Sequence, residues 1–255
     1  MIIVKSKEFD YEQIAQSGQT FRMDSEGNCF ALDKHCRVEG NKIICPEKDN
    51  DFWTEYFDLK TDYSKFIKAI DEKDEFLLSA SNFGRGIRIL RQDPWEMLIT
   101  FIISQRKNIP AIKSSVEAIC KRWGSKNEEF YAFPTPNQLA KASLDELREC
   151  SLGYRDEYIL LAAEFMCEKP DYLSSLECLS YEELMEKLLM FKGVGVKVAN
   201  CVALFAYHKI DAFPIDVWIA RVLEQYYKSG FPFERYKGFA GVMQQYMFYY
   251  IRLNS

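Results

Sequence analysis

A lysine and an aspartate in the last quarter of the chain have the chemistry needed to cleave a bond at a sugar carbon. Lys197 follows the turn GVG (193–195), and Asp216 follows later in the segment FPIDVW. A lysine amine that has lost its proton is a nucleophile and forms an imine with a carbonyl-like carbon. The positive end of a helix favours the neutral amine, and a facing carboxylate stabilises a cationic sugar. The pair predicts covalent catalysis by Lys197, assisted by Asp216.

The segment around Lys197 predicts two helices joined by a hairpin. A capped helix is expected from Ser180 to about Phe191, and a second helix resumes near Lys197. Two glycines one residue apart allow a tight reversal and leave the first amides of the second helix unobstructed. Such amides bind a phosphate oxygen without reading sequence. We assign this contact to Gly193, Gly195 and Val198, although a GxG turn alone is also typical of an ordinary packing unit.

The remaining elements must position these residues. Short β-prone runs, among them MIIVKS, TFRMD, CFALD and KIICP, alternate with turn signals over residues 1–60. From about residue 63, apolar residues recur at helical spacing. Helix starts are marked by capping boxes and by first-turn prolines, at Thr135, Ser143, Ser180, Pro94 and Pro110.

These patterns predict an α+β fold, in which a small N-terminal antiparallel β domain precedes a mostly helical, two-lobed body with a helix–hairpin–helix motif. We place the β-rich domain at 1–79 and the body at 80–255. Within the body, we expect a helical lobe at about 95–180, the hairpin and catalytic segment at about 181–223, and C-terminal helices at 224–255.

Charge and cysteine usage narrow the class of protein. The net charge is −5, but residues 187–255 carry nine Lys/Arg against four Asp/Glu, and residues 85–113 carry six against two. This uneven charge fits a basic face that binds phosphate on an acidic chain, and it fits ordinary solvated helix faces equally well.

The eight cysteines contain no CxxC pair. Cys29, Cys36 and Cys45 are interpreted as buried packing thiols, with a metal site as the alternative.

The pattern LxxFxGVGxKVAxC…PxDVW resembles the helix–hairpin–helix, Gly/Pro-Asp superfamily of DNA glycosylases. Within it, the chain resembles the 8-oxoguanine DNA glycosylase family over nearly its whole length. The resemblance implies a bifunctional enzyme, in which Lys197 forms a Schiff base with the sugar and Asp216 assists. It implies excision of the oxidised base followed by β-elimination that cleaves the strand.

The same resemblance implies a pocket for the flipped base. SGQTFR (17–22) is similar to the family segment whose glycine carbonyl, here Gly18, accepts from the N7–H of oxidised guanine. In AGVMQQYMF (240–248), Gln244 would read the Watson–Crick edge and Phe248 would stack on the base. Cys201 would pack on the opposite face, and a stacked sandwich offsets part of the cost of flipping. Pro214 and Trp218 belong to the same pocket by resemblance, with Trp218 replacing a histidine of the animal enzymes.

Two further segments resemble those that contact the partner strand. In LGYR (152–155), Tyr154 would wedge into the helix and Arg155 would donate to the orphaned cytosine. The loop QRKN (105–108) departs from the consecutive asparagines of the animal enzymes, and Ala111 stands where an arginine is expected. We assign Arg106 and Asn108 to DNA contact, and we expect weakened preference for cytosine opposite the lesion.

The expected partner is double-stranded DNA containing oxidised guanine, bound by a monomer. No cysteine follows Cys201, so the iron–sulfur cluster of endonuclease III-like relatives is not expected, and no catalytic metal is needed. The resemblance allows a structural monovalent cation at hairpin carbonyls. Alkylation-repair relatives lack the hairpin lysine. A non-catalytic helix–hairpin–helix DNA-binding module is the alternative function, and a purely structural helical protein is a further one.

The N-terminus and the distribution of apolar residues bear on the compartment. Three apolar residues meet charge at once in MIIVKSKEFDYEQ, unlike a signal peptide. No apolar run approaches the roughly 18 residues needed to span a bilayer. We therefore expect no membrane association, and a cytoplasmic, nucleoid-associated protein in a prokaryote or a nuclear one in a eukaryote.

Overall fold

A four-stranded antiparallel sheet forms the N-terminal part of the structure, a computed structural model that describes residues 1–127 and 130–254. Its strands are β1 (Ile2–Ile3), β2 (Asn28–Ala31), β3 (Lys34–Glu39) and β4 (Lys42–Ile44), in the order β1-β4-β3-β2. Alternate side chains of the strands are buried on one face, at Cys29, Ala31, Cys36, Val38 and Ile43. This alternation is typical of a sheet with one face against a core.

Helices make up the body of the protein. In the part of the chain that the structure describes they are α1 (Tyr11–Gln16), α2 (Asn50–Tyr56), α3 (Ser64–Lys68), α4 (Glu75–Phe83), α5 (Pro94–Ser104), α6 (Ile109–Trp123), α7 (Pro136–Leu139), α8 (Leu144–Glu149), α9 (Arg155–Glu168), α10 (Tyr172–Ser175), α11 (Tyr181–Leu188), α12 (Val196–Phe205), α13 (Val217–Tyr226) and α14 (Ala240–Leu253). A 3₁₀ turn at Glu47–Asp49 precedes α2. The α+β fold class with an N-terminal sheet and a helical body is confirmed.

The helix starts behave as the local sequence predicts. The side chains of Thr135, Ser143 and Ser180 each accept from the third residue of their helix, and that residue's side chain returns to the cap. Pro94 and Pro110 lie in the first turns of α5 and α6. These caps satisfy amides that would otherwise lack partners.

The expectation of a β-rich stretch over residues 1–60 was wrong in two places. The run TFRMD forms no strand of its own and pairs with β2 only at a bridge from Met23 to Cys29, where Phe30 N donates to the Arg22 carbonyl. The stretch after β4 is helical rather than extended. In α2, Trp53 and Tyr56 recur at helical spacing and are buried with Phe57, so tertiary packing overrides their β-propensity.

Two apolar cores underlie this architecture. The smaller lies under the sheet and joins residues from Val4 to Phe57 with Leu90, while the larger fills the helical body and takes Phe21 from the N-terminal segment. Arg88 is fully buried and donates to the carbonyls of Phe57 and Glu8 at 3.1 and 2.7 Å. Packing therefore crosses the domain division placed at residue 79, which stays a prediction, as do the finer divisions of the body.

The cysteines of the sheet are packing thiols in the structure. Cys29 and Cys36 face each other across β2 and β3 and are buried, and burial raises the pKa of the Cys36 thiol. Among residues 1–127 and 130–254, no group of three or more His, Cys, Asp or Glu side chains is placed to hold a metal ion. No helix there is both apolar and long enough to cross a bilayer.

Candidate active site

The hairpin between α11 and α12 is shaped by two glycines with different requirements. Gly193 has φ +83°, and a Cβ there would lie 2.2 Å from Cδ2 of Tyr158. Only glycine fits this position, because both the backbone angle and the neighbouring ring exclude a side chain. Gly195 caps α12 with extended backbone, and a Cβ there would meet nothing within 4 Å. Gly195 therefore lies beside open space.

The first turn of α12 presents unpaired amides. The first backbone hydrogen bond of the helix runs from Ala199 N to Gly195 O at 2.9 Å. The preceding N–H groups of Val196, Lys197 and Val198 have no acceptor among the described residues. The Val198 side chain is buried and anchors the turn. This arrangement suits a phosphate oxygen.

The Lys197 amine lies between the start of α12 and α5. It is half-buried, and Nζ is 5.4 Å from the centre of the Phe101 ring. Cys201 follows one turn later and is buried. Burial raises the pKa of the Cys201 thiol, the Lys197 amine opposes that rise, and the charge of Asp216 adds to it. The amine, thiol and carboxylate therefore share one electrostatic environment.

Asp216 is fixed by the helix that follows it. Its Oδ1 accepts from the backbone N–H of Trp218 at 3.0 Å and of Ile219 at 2.9 Å, which caps α13. No described residue donates to Oδ2. The cap therefore sets the orientation of the carboxylate and leaves one oxygen free of hydrogen bonds.

A cleft joins these groups. Its outer part, of about 710 Å³, is lined by Lys197, Asp216 and Phe248 together with predicted DNA-contact and base-pocket residues, namely Gly18, Gly195, Val198, Arg106, Asn108 and Trp218. A deeper part, of about 40 Å³, shares the first three and adds Cys201, Pro214 and Gln244. The structure thus brings the predicted nucleophile, carboxylate and base-binding residues to one cavity.

Gln244 has a polar atom without a partner in the deeper part. The side chain is buried, its Nε2 donates to the Pro214 carbonyl at 3.0 Å, and its Oε1 is buried without a hydrogen bond among the described residues. A buried acceptor without a donor costs about 1–3 kcal/mol. A ligand that brings an N–H group would remove this cost.

Phe248 closes the deep cavity against Gly18. Gly18 has φ +77°, and a Cβ there would lie 2.9 Å from Cε1 of Phe248. The ring therefore rests on the glycine backbone, and the remaining space is too small for a purine. A bound base requires the Phe248 ring to move away from Gly18.

Two of the predicted partner-strand residues, Tyr154 and Arg155, are not among the residues that line the cleft, and they differ in exposure. Tyr154 is 49% exposed, whereas Arg155 is 6% exposed. The Arg155 guanidinium stacks over the Tyr154 ring at 4.4 Å and donates to the backbone carbonyls of Leu152 and Gln105. Contact between Arg155 and an orphaned cytosine stays a prediction, and it requires these hydrogen bonds to rearrange.

Hydrogen bonds to other parts of the protein hold the loop between α5 and α6 in place. Asn108 accepts from Ala111 N at 2.9 Å and so caps α6. Lys107 Nζ donates to Ser115 Oγ at 2.6 Å and to the Ser151 carbonyl at 2.5 Å. Arg106 is exposed with φ +52°, an uncommon angle for a residue with a side chain. Arg106 is thus the outward cation of this loop.

Sequence reasoning missed three residues that the structure places at the site. Phe101 lies under the lysine amine, and Gln105 Nε2 donates to the Gly193 carbonyl at 3.0 Å, which ties the loop to the hairpin. Arg252 lines the outer cleft. The apolar periodicity of α5 makes Phe101 an ordinary core residue, and the contacts of the other two span distant parts of the chain. No local signal could have found them.

Comparison with known proteins agrees with this geometry. Residues 1–98 match the N-terminal domain of 8-oxoguanine DNA glycosylase, and residues 99–231 match the HhH-GPD superfamily of base excision DNA repair proteins. The chain belongs to the 8-oxoguanine DNA glycosylase family of the HhH-GPD superfamily. The resemblance inferred from the sequence is confirmed.

Similar proteins span most of this member of the HhH-GPD superfamily. A probable N-glycosylase/DNA lyase of Methanothermobacter thermautotrophicus is 32% identical over 85% of this chain and 82% of its own length. The N-glycosylase/DNA lyase of Saccharomyces cerevisiae is 35% identical, over 56% of this chain and 43% of its own. The Clostridium acetobutylicum 8-oxoguanine glycosylase/lyase, solved with double-stranded DNA containing cytosine opposite 8-oxoguanine, superposes with a TM-score of 0.89. It is 33% identical and covers 100% of this chain and 98% of its own.

Proposed function

We propose that this protein removes 8-oxoguanine from double-stranded DNA and then cleaves the strand at the resulting site, as a bifunctional DNA glycosylase and lyase. The observation that carries this conclusion is the placement of Lys197 and Asp216 in one cleft with the base pocket. The names of the similar N-glycosylase/DNA lyases support it. The deep pocket and the orphaned Gln244 acceptor have no purpose in a non-catalytic DNA-binding module, the alternative function.

The chemistry follows from the two residues. The neutral Lys197 amine attacks C1′ of the damaged nucleotide, and the electrons of the bond from C1′ to N9 leave with the base. The ammonium formed at C1′ gives up one proton, and the departing base gains one. The positive charge that develops on the sugar is stabilised by the nearby Asp216 carboxylate. Opening of the sugar ring gives an imine between Lys197 and C1′.

Strand cleavage uses the same imine. The imine acidifies the C2′ protons, and loss of one of them expels the 3′ phosphate with the electrons of its C–O bond. Water then hydrolyses the imine and restores the lysine. A single amine thus serves base removal and β-elimination without a redox reagent.

The pocket suits oxidised guanine by its hydrogen-bonding groups. 8-Oxoguanine carries a hydrogen on N7, where guanine has a lone pair, and the Gly18 carbonyl has no donor among the described residues. The Gln244 Oε1 acceptor is available for the N–H groups on the Watson–Crick edge. We assign the stacking faces to Phe248 and to Cys201, with Pro214 and Trp218 completing the wall.

Binding to duplex DNA is assigned to two surfaces. The amides at Gly195–Val198 would hold a phosphate of the damaged strand, next to the tight turn at Gly193. Tyr154 would fill the gap left by the flipped base, with Arg106, Asn108 and Arg155 near the partner strand. Because no asparagine run or arginine at 111 supplies donors, we propose weak preference for the partner base.

The protein needs no iron–sulfur cluster or catalytic metal for this mechanism. A structural monovalent cation at the hairpin fits the local groups, because its backbone carbonyls are oxygen ligands with two lone pairs each. The Gly193 carbonyl already accepts one hydrogen bond, from Gln105. We further propose that the enzyme acts as a monomer, in the cytoplasm with the nucleoid of a prokaryote or in the nucleus of a eukaryote.

The function is tested by following both products from a duplex with one 8-oxoguanine. We expect free 8-oxoguanine by mass spectrometry and a nicked strand by gel electrophoresis, with no release from an otherwise identical guanine duplex. A folded protein that binds the duplex yet releases no base would contradict the proposal. Base release without nicking would contradict its lyase part.

A further inference from the structure

The turn that carries Gly18 is held on both sides by side chains of the helical body. The Gln16 carbonyl accepts from Arg252 Nη2, and the Ser17 carbonyl accepts from Gln245 Nε2 at 2.5 Å. The Gln19 carbonyl accepts from Gln92 Nε2 at 2.8 Å. Of the four successive carbonyls, that of Gly18 is the one to which no described residue donates.

Two of these donors lie on the helix that also supplies base contacts. Gln245 and Arg252 are seven positions apart on α14, so they lie on one face, two turns from each other. Gln245 is 2% exposed. The Arg252 guanidinium also lies 5.6 Å from the centre of the Phe248 ring. Residues of α14 therefore contact both the turn and the Phe248 ring.

The orientation of the Gly18 carbonyl depends on these anchors. Gly18 lacks a Cβ, and its positive φ belongs to a region that glycine leaves easily. A hydrogen bond weakens steeply when the donor is misaligned. At N7, 8-oxoguanine presents an N–H donor to this carbonyl, whereas guanine presents a lone pair. Rotation of the peptide would weaken both the attraction of the carbonyl to the N–H of 8-oxoguanine and its repulsion from the lone pair of guanine.

We propose that Gln245 and Arg252 are positioning residues for lesion selectivity, which hold the neighbouring carbonyls so that the Gly18 carbonyl faces N7 of the flipped base. Gln245 borders the deep cavity and Arg252 the outer cleft, but both direct a donor group at the turn rather than at the cavity. The inference rests on the proposed function of the pocket. We call the two hydrogen bonds from Gln245 and Arg252 of α14 to the turn the clamp. According to this proposal, the clamp, and not the turn alone, makes the Gly18 carbonyl selective for 8-oxoguanine.

Equilibrium binding separates this role from a general loss of structure. In a Lys197→Gln background, which cannot react, the affinities of Gln245→Leu and Arg252→Met are measured for duplexes that contain 8-oxoguanine, guanine or a tetrahydrofuran abasic analogue. The 8-oxoguanine preference over guanine should fall about tenfold, close to the 1.4 kcal/mol of one hydrogen bond. Affinity for the abasic analogue, which has no base, should stay within twofold for Gln245→Leu. Arg252→Met also removes a cation from the outer cleft, so for this variant the preference for 8-oxoguanine over guanine is the quantity compared. Equal loss on all three duplexes would overturn the proposal.

Matched variants sharpen the test. Gln245→Glu keeps the shape but replaces the donor by an acceptor, so it should lose as much selectivity as Gln245→Leu. Arg235→Met removes an exposed arginine paired with Asp71, far from the cleft, and should retain full selectivity. Full selectivity in Gln245→Glu would contradict the clamp. Arg252 is only half-buried, so Arg252→Met tests the proposal even if Gln245→Leu lowers the melting temperature.

Excision and nicking rates, measured in variants that retain Lys197, distinguish failure of the clamp from failure of the proposed function. Gln245→Leu should excise 8-oxoguanine about tenfold more slowly while nicking a preformed abasic site within twofold of the unmodified protein, and Arg252→Met should lower the ratio of excision to abasic-site nicking about tenfold. If the unmodified protein releases no 8-oxoguanine, the proposed function fails. If it does and the variants keep the ratio of excision to abasic-site nicking, the clamp fails and the function stands.

Discussion

The base pocket and the partner-strand surface use their polar groups differently. In the pocket, the Gln244 Oε1, the Gly18 carbonyl and one oxygen of Asp216 have no hydrogen-bond donor among the described residues. On the partner-strand surface, Arg155 and Lys107 are held by backbone carbonyls of the protein. The acceptors of the pocket are therefore available to a ligand. Those two donor side chains of the partner-strand surface are already used in hydrogen bonds within the protein.

The difference indicates where recognition is preorganised. Buried anchors fix the polar groups of the pocket before DNA arrives. A bound base therefore requires the Phe248 ring to move, but it requires little ordering of the polar groups that face the base. On the surface assigned to the partner strand, the side chains of Tyr154 and Arg106 are exposed. Arg155 must break its hydrogen bonds to backbone carbonyls of the protein before it can donate to a base. We therefore expect changes in the pocket to alter chemistry and lesion choice, and changes on the other surface to alter affinity.

Apart from loss of the Lys197 amine itself, the largest effect is expected for Asp216→Asn. Asparagine caps a helix as well as aspartate does, so α13 and the fold should be retained. Loss of the negative charge should slow single-turnover excision by roughly 10²–10³-fold, the range for removing one electrostatic contact to a transition state. Binding to an abasic-analogue duplex should persist. An unchanged excision rate would remove Asp216 from the chemistry.

The hairpin glycines offer a matched pair. Gly193→Ala places a methyl group into the Tyr158 ring at a positive φ, so we expect a loss of about 1–3 kcal/mol in stability and reduced affinity for every duplex. Gly195→Ala meets no atom and has φ −95°, so it should fold normally. Thermal unfolding and DNA binding measure both. Equal melting temperatures for the two variants would refute the assigned strain.

A smaller effect is expected for Tyr154→Ala. The side chain is exposed and makes no hydrogen bond to a described residue, but its ring stacks on the Arg155 guanidinium, so stability should fall by about 0.5–1 kcal/mol. Stacking on a base contributes about 1–3 kcal/mol, so affinity for a lesion duplex should fall about tenfold. The excision rate at saturating protein would drop less than in Asp216→Asn. Unaltered affinity would exclude Tyr154 as the wedge.

The smallest effect is the choice of partner base. We expect excision rates opposite C, A, G and T to lie within about tenfold of one another, because the loop lacks the consecutive asparagines of the animal enzymes and Ala111 stands where an arginine is expected. Ala111→Arg restores the arginine of the animal enzymes and should raise the preference for cytosine. Excision at least tenfold faster opposite cytosine than opposite all other bases, in the unmodified protein, would show that this surface reads the base after all.

The sequence predicted the parts of this site that depend on local chemistry. The hairpin, the start of the second helix near Lys197 and the cap at Asp216 follow from glycine conformations and from amides that need partners. Capping boxes marked helix starts for the same reason. The resemblance then placed Gly18, Gln244 and Phe248 in a pocket, and the structure brings them to one cavity.

The missing parts depend on contacts between distant segments. Gln105 reaches Gly193, and Gln245 and Arg252 reach the turn near the N-terminus. Glutamine and arginine on a helix have many possible partners, and their spacing does not say which carbonyl they meet. The burial of Arg155 could not be predicted for the same reason, because its sequence neighbours do not reveal its contact with the Gln105 carbonyl. Helical packing of Trp53 and Tyr56 likewise overrode their preference for strands.

The central claim, that Lys197 is the nucleophile, is tested most directly by borohydride trapping on a duplex with one 8-oxoguanine. Reduction of the imine should link the unmodified protein covalently to DNA. Lys197→Gln should bind the duplex without becoming linked, while Lys192→Gln, which removes an exposed amine paired with Glu157, should be linked normally. Equal linkage of Lys197→Gln and the unmodified protein would contradict the account.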